Sequence, residues 1–129
     1  MTMNREVARS GLAPATLLFR ALGDPNRLLI LQHLLSGEHT VRELTEHLRL
    51  AQSTVSAHLA CLHDCGLVSS QPRGRSTIWS LTAESDLLAL LAAAERLLEA
   101  TGYAVVLCPT CGANAHDVRG ELSLVSAEG

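Results

Sequence analysis

Apolar residues recur at helical spacing in five blocks of this chain, and each block is bounded by residues that start or stop helices. The first, Ala13 to Leu22, carries Pro14 in its opening turn, where a missing N–H costs nothing, and Gly23 follows it. Asp24-Pro25 then reads as N-cap and first residue of a second helix. Leu28, Leu29, Leu31, Leu34 and Leu35 mark that helix as largely buried, and Ser36-Gly37 stops it. Thr40-Val-Arg-Glu43 has the form of a capping box opening a short helix with Val41, Leu44 and Leu48 turned inward. After the tight connection Arg49–Gln52, residues 52–64 form the next helix. Leu59 and Leu62 lie within ~40° of Val55 around its axis, and Gly66 is its C-terminal stop. Leu67–Gln71 and Ser76–Leu81 read as two short strands around the turn Pro72–Arg75. Glu84 to about Thr101 is a last amphipathic helix, rich in leucine (Leu87, Leu88, Leu90, Leu91, Leu97, Leu98). From Gly102 onward the periodicity is lost.

Helix, tight turn, helix and hairpin in that order predict an α+β, mainly helical fold: a winged helix-turn-helix with a two-stranded β-wing. Residues 1–101 form the DNA-binding and dimerisation domain, and residues 102–129 form a C-terminal tail. The polar positions of the 52–64 helix, Gln52, Ser53, Thr54, Ser56 and His58, offer donors and acceptors to base edges and phosphates. Arg73 and Arg75 at the tip of the hairpin can reach backbone phosphate or the minor groove. The plainer alternative is a capped helix and a solvated hairpin in a helical protein. The leucines of the last helix form two apolar strips, more than one face of a small domain covers, so a homodimer is expected.

Composition sharpens this picture. Of 129 residues 47% are apolar, yet only Phe19, Trp79 and Tyr103 are aromatic, so leucine and alanine must build the core. The net charge of −3 at first argues against a nucleic-acid partner, but it divides unevenly. Residues 1–81 hold eight Arg against six acidic residues, or +2, whereas residues 82–129 hold two Arg against seven, or −5. There is no Lys. No apolar run approaches the ~20 residues of a membrane span, and the N-terminus lacks the apolar region of a signal peptide. No membrane partner and a cytoplasmic location are therefore expected.

Four cysteines in two close pairs suit metal or redox chemistry better than structural disulfides in a reducing compartment. Cys61 and Cys65, four residues apart, share a helix face with His58 at the border of the core stripe. Cys108 and Cys111 belong to Cys-Pro-Thr-Cys-Gly, a turn able to present both sulfurs to one metal. Thiolates select cadmium, lead, zinc or copper(I) over hard ions. All four are candidate metal ligands, with His116 a weaker one. His33, His39, His47 and His63 read as ordinary helix-surface or core residues. Small buried core thiols, a thiol redox sensor and a permanent structural zinc site are the alternatives. No catalytic nucleophile, acid–base pair or phosphate loop is present, so an enzyme is not expected.

Ala21-Leu-Gly-Asp-Pro-Asn-Arg-Leu-Leu-Ile-Leu31, Val41-Arg-Glu-Leu-Thr-Glu-His-Leu48, Gln52-Ser-Thr-Val-Ser-Ala-His-Leu59 and the wing segment Arg73-Gly-Arg75 with Trp79-Ser-Leu81 resemble the ArsR/SmtB family of bacterial repressors. The resemblance covers roughly residues 12–101. It implies a homodimer that binds an inverted-repeat operator in double-stranded DNA and is released by metal. It also implies that the 84–101 helix and a helix near the N-terminus form the dimer interface. Leu59-Ala-Cys-Leu-His-Asp-Cys-Gly-Leu-Val68 is similar to the CmtR-type branch of cadmium and lead sensors. That branch implies Cd(II) or Pb(II) as inducer, Zn(II) being a further candidate, with Cys61 and Cys65 as ligands and one tail cysteine from the other subunit. Cys108 matches the tail position, and Cys111 is additional, so trigonal and tetrahedral thiolate sites both stay open. The family's other sensing sites lack their residues here: the 41–48 segment has no Cys and Glu84–Thr101 has no His.

Overall fold

A computed structural model of the chain describes residues 9–107. It divides into two units, Met1–Thr82 and Ala83–Gly129. In the first, the described elements are α1 (Ala13–Leu22), α2 (Pro25–Leu35), β1 (His39–Thr40), α3 (Val41–Leu48), α4 (Gln52–Asp64), β2 (Val68–Arg73) and β3 (Ser76–Leu81). The second holds α5 (Glu84–Ala100).

The helix ends follow from local hydrogen bonding. Asp24, extended at φ −131°, accepts from the amides of Asn26 at 2.8 Å and Arg27 at 3.1 Å, so two of the donors orphaned at the start of α2 are satisfied. The Thr40 hydroxyl accepts from the Glu43 amide at 3.1 Å while the Glu43 carboxylate accepts from the Thr40 amide at 2.8 Å, the reciprocal pair of a capping box. At the end of α4, Gly66 takes φ +80°, its amide bonds the His63 carbonyl, and the Leu67 amide bonds the Leu62 carbonyl. That double closure is a Schellman motif and needs a left-handed residue at position 66. The three-residue turn between α3 and α4 begins with Arg49 in the left-handed region, φ 56°.

The Asp24 cap carries a test. The Arg27 amide is the largest cause holding the Asp24 carboxyl below its usual range; desolvation opposes it, and the Asn26 amide and the charges of His58 and Arg27 add to it. A carboxyl depressed in the folded state stabilises the fold above its unfolded value of 3.8 and loses that contribution as pH falls through the lower folded value. Asparagine caps a helix as well but does not titrate. The stability difference between native and Asp24→Asn chains should therefore shrink below about pH 4, measured as thermal midpoints from pH 7 to pH 2. A constant difference would show that the ionised carboxylate does not matter.

The sheet is wider than the sequence reading. Its order is β1-β3-β2, all antiparallel, with His39 opposite Trp79 and Thr40 opposite Ile78 on one side of β3. On the other side Val68 pairs with Leu81 and Arg73 with Ser76, so the hairpin turn is only Gly74-Arg75. Gly74 at φ +64° supplies the positive angle that a two-residue turn demands at its first position. The strand therefore runs through Pro72 instead of ending at Gln71. Pro72 is tolerated because β2 is an edge strand, where a missing donor breaks no ladder on its free side.

Ala21, Ile30, Leu31, Leu34, Leu35, Leu44, Val55, Leu59, Leu62 and Val68 form the buried core of the first unit. One expectation for α2 shifts by one position, Leu29 being 41% exposed and its neighbour Ile30 wholly buried, and Leu28 is only half-buried. In α3 only Leu44 is fully enclosed; Val41 and Leu48 are half-buried. Within the second unit, Glu84 and Asp86 lie in the first turn of α5, where they complement the helix dipole, and Leu87 and Leu91 are buried. Gly102 at φ +99° ends α5. The amide of Leu107, the last described residue, bonds the Glu95 carboxylate at 2.6 Å. Among the described residues no helix is long and apolar enough to cross a membrane.

Candidate nucleic-acid and metal interface

The helix α4 is mounted on the core by Val55, Leu59 and Leu62, each with no exposed surface. That anchoring decides which way its other positions face. Gln52, Ser53 and Ser56 are exposed, and Thr54 and His58 are half-buried. The Arg27 guanidinium holds the body beneath. It donates to the carbonyls of Ala21 at 2.7 Å and Arg20 at 3.0 Å, closing the end of α1, and to Nδ1 of His58 at 3.3 Å. One arginine thus links α1, α2 and α4.

On the wing, Arg73 and Arg75 are both exposed, but they differ in company. Arg73 reaches Glu38 through two contacts, 3.1 and 3.4 Å, across an exposed ion pair. Arg75 occupies the second turn position and makes no such pair among the described residues. Charge available to phosphate is therefore greater at Arg75.

Cys61 and Cys65 are free thiols, each half-buried, at the far end of the same helix. Cys65 is the C-cap of α4, but its amide still bonds the Cys61 carbonyl at 3.4 Å, so the four-residue stacking survives. The Cys65 Sγ–H donates to the Leu62 carbonyl at 3.3 Å. Burial pushes its thiol above the usual range; the Leu67 backbone draws it back, a charge on Cys61 raises it again, and Arg27 lowers it slightly. Cys108, Cys111 and His116 lie outside the described residues. Among those described, no three His, Cys, Asp or Glu side chains already converge as a metal site.

One constellation escaped sequence reading. His33 on α2, His39 on β1 and His47 on α3 meet with ring centroids 5.3 to 6.0 Å apart. Their sequence spacing fits no single helix face, so only the tertiary packing gathers them. His63 instead meets Trp79 edge-on at 6.2 Å.

Residues 24–70 match the family described as bacterial regulatory protein, arsR family. A probable mercury resistance operon repressor of Streptomyces lividans is 49% identical over 63 residues, 49% of this chain and 50% of that protein. The HTH-type transcriptional regulator CmtR of Mycobacterium tuberculosis is 47% identical over 70 residues, 54% of this chain and 58% of that one. The chain thus spans about half the length of these curated relatives. The solved structure of HlyU from Vibrio cholerae is 33% identical, superposes with a TM-score of 0.56, and is covered over 97% of its length. This chain belongs to the arsR family. A homodimeric winged helix-turn-helix DNA-binding domain from Mycobacterium bovis, described as a possible ArsR-family regulator, superposes with a TM-score of 0.62 at 25% identity, covering 73% of this chain and 89% of that one. The arsR-family chain is accordingly a winged helix-turn-helix in which α3 and α4 are the two helices of the motif and β2–β3 the wing. Its third strand, β1, joins the wing to the start of α3. These relatives are named for transcriptional regulation and not for catalysis.

Proposed function

We propose that the protein is a cytoplasmic transcriptional repressor that binds an inverted-repeat operator as a homodimer and leaves it when a thiophilic metal occupies Cys61 and Cys65. One observation carries this reading: the two thiols sit at one end of the helix whose other end exposes Gln52, Ser53 and Ser56. A metal that closes on the thiols acts directly on the mounting of the element that reads DNA. Two sulfurs do not complete a site, so a tail thiol, Cys108 or Cys111, is the third ligand, and the resemblance to the CmtR-type branch implies that the other subunit contributes it. Soft thiolates favour thiophilic cations, so Cd(II) or Pb(II) is the inducer, with Zn(II) a further candidate and Hg(II), the softest of these ions, a competitor for the same sulfurs. The similarity to a CmtR and to a probable mercury-operon repressor supports a thiophilic metal as the inducer.

The redox alternative is weaker, because a thiol pushed upward by burial holds less of the reactive thiolate. A structural zinc site would make metal removal unfold the chain, yet a leucine-rich core already supports the first unit.

The deciding experiment is operator affinity by fluorescence anisotropy, with each metal added in turn at one fixed salt concentration. A thiophilic metal should weaken binding, whereas magnesium should not. In the same assay, Arg75→Ala should flatten the dependence of log affinity on log salt by about 1. Arg73→Ala, which loses a cation already paired with Glu38, should flatten it less. Operator affinity indifferent to every thiophilic metal would remove the sensing function, and an unchanged salt slope for Arg75→Ala would remove the wing.

A further inference from the structure

We propose that His33, His39 and His47 form a second metal site, lined by imidazole and separate from the thiols, that takes a borderline divalent cation of the cobalt, nickel, copper or zinc kind. The site stands apart from the repressor reading and would exist whether or not Cys61 and Cys65 bind metal.

The spacing is the first argument. Ring centroids are 5.3 Å apart for His33 and His47, 5.4 Å for His39 and His47, and 6.0 Å for His33 and His39. Three imidazoles on one tetrahedral ion, with metal–nitrogen bonds of about 2.0–2.1 Å, place their centroids about 5 Å apart. The trio already lies within an ångström of that spacing.

The second argument is which nitrogen is left. Nδ1 of His33 lies 3.0 Å from the Leu29 carbonyl, and Nδ1 of His39 lies 2.8 Å from the Gly37 carbonyl. A carbonyl only accepts, so each Nδ1 carries the proton and each neutral ring keeps its lone pair on Nε2. Backbone carbonyls that orient a ring through one nitrogen are the usual support of a histidine that ligates through the other. His47 is exposed and no hydrogen bond among the described residues fixes its ring. The rings meet at interplanar angles of 77°, 33° and 79°, and as they stand the three do not form a group that could hold an ion. Turning His47 is the movement that closure requires. The Glu43 carboxylate, near enough to His39 and His47 to feel their charge, adds a negative field at the site.

The chemistry then selects the cation. Imidazole suits zinc, copper, nickel and cobalt, whereas cadmium, lead and mercury prefer the thiols. Because the three ligands come from α2, β1 and α3, an ion bound to them ties these elements together and stabilises the folded chain by mass action. His39 also stands directly opposite Trp79, the only tryptophan, on the β1–β3 ladder, so a paramagnetic ion there quenches the protein's own fluorescence.

The test uses the full chain with Cys61→Ser, Cys65→Ser, Cys108→Ser and Cys111→Ser together, so that no thiolate can compete. Co(II) should bind at one equivalent per chain with visible bands but no sulfur charge-transfer absorbance, quench Trp79 and raise the thermal midpoint. Adding His47→Gln, an exposed position, should weaken uptake at least tenfold and erase the midpoint shift. Absence of Co(II) uptake, or uptake indifferent to His47→Gln, would overturn the site. If the serine chain does not fold, Co(II) is titrated into the native chain and imidazole resonances are followed. Early broadening of His33, His39 and His47 supports the proposal, whereas broadening confined to the surroundings of Cys61 and Cys65 overturns it.

Discussion

A Cys61→Ser or Cys65→Ser chain should bind its operator as tightly as the native protein and stay bound at cadmium concentrations that release the native one. Both thiols are half-buried at the end of α4, away from the exposed Gln52, Ser53 and Ser56. Serine is slightly smaller, and at position 65 its hydroxyl can replace the thiol as donor to the Leu62 carbonyl. Fold and apo DNA binding should therefore change little. Metal binding should change greatly, because a hydroxyl is a hard, poorly acidic donor and cadmium loses one of two sulfurs held on a common face. Coupling between metal and DNA of the usual 1–3 kcal/mol, about 5- to 150-fold in affinity, should vanish. Cadmium–thiolate absorbance recorded alongside operator anisotropy reads both ends of the coupling. A Cys61→Ser chain that still shows the absorbance and still leaves DNA would move the sensor elsewhere. Cys108→Ser should blunt release more than Cys111→Ser, and if each is silent the double variant decides whether the tail thiols substitute for one another.

The second large effect concerns stability. Leu59→Ala should destabilise the chain by roughly 2–5 kcal/mol, because truncating a buried leucine loses its transfer free energy and leaves a cavity. Leu59 has no exposed surface and lies between Val55 and Leu62 on the face that mounts α4 on the core. The loss is a large fraction of the 5–15 kcal/mol typical of a folded domain. Urea denaturation should show a lower midpoint with an unchanged slope, and operator affinity should fall at temperatures where the native chain is still folded. A cost below about 1 kcal/mol would mean that α4 is not anchored through this residue.

Sequence and structure agree best where the cause is local. The Asp24 cap, the Thr40–Glu43 box and the left-handed Gly66 are each decided by atoms a few residues apart, and each stands where the pattern put it. The stacking of Cys61 over Cys65 is local too, needing only the pitch of one helix. Misreadings arose where partners are distant. The two-residue strand β1 has no pattern of its own and exists because His39 and Thr40 pair with Trp79 and Ile78. Pro72 reads as a strand terminator until the sheet order shows β2 at an edge. Leu29 and Ile30 exchange roles because a helix with leucine on most faces does not announce its buried one. The same reason hid the histidine trio, whose members come from three elements.

In the proposed DNA-bound state, the Arg27–His58 contact limits what His58 can offer to a base. A guanidinium has no lone pair to offer, so in the neutral ring the 3.3 Å contact makes His58 Nδ1 the acceptor and leaves the proton on Nε2. Held that way, His58 can only give a hydrogen bond at its outer nitrogen. It can address purine N7, guanine O6, thymine O4 or a phosphate oxygen, but not the amino groups of adenine or cytosine. An arginine two helices away, itself anchored on the carbonyls that close α1, would thereby narrow the set of base edges open to His58 in the proposed complex.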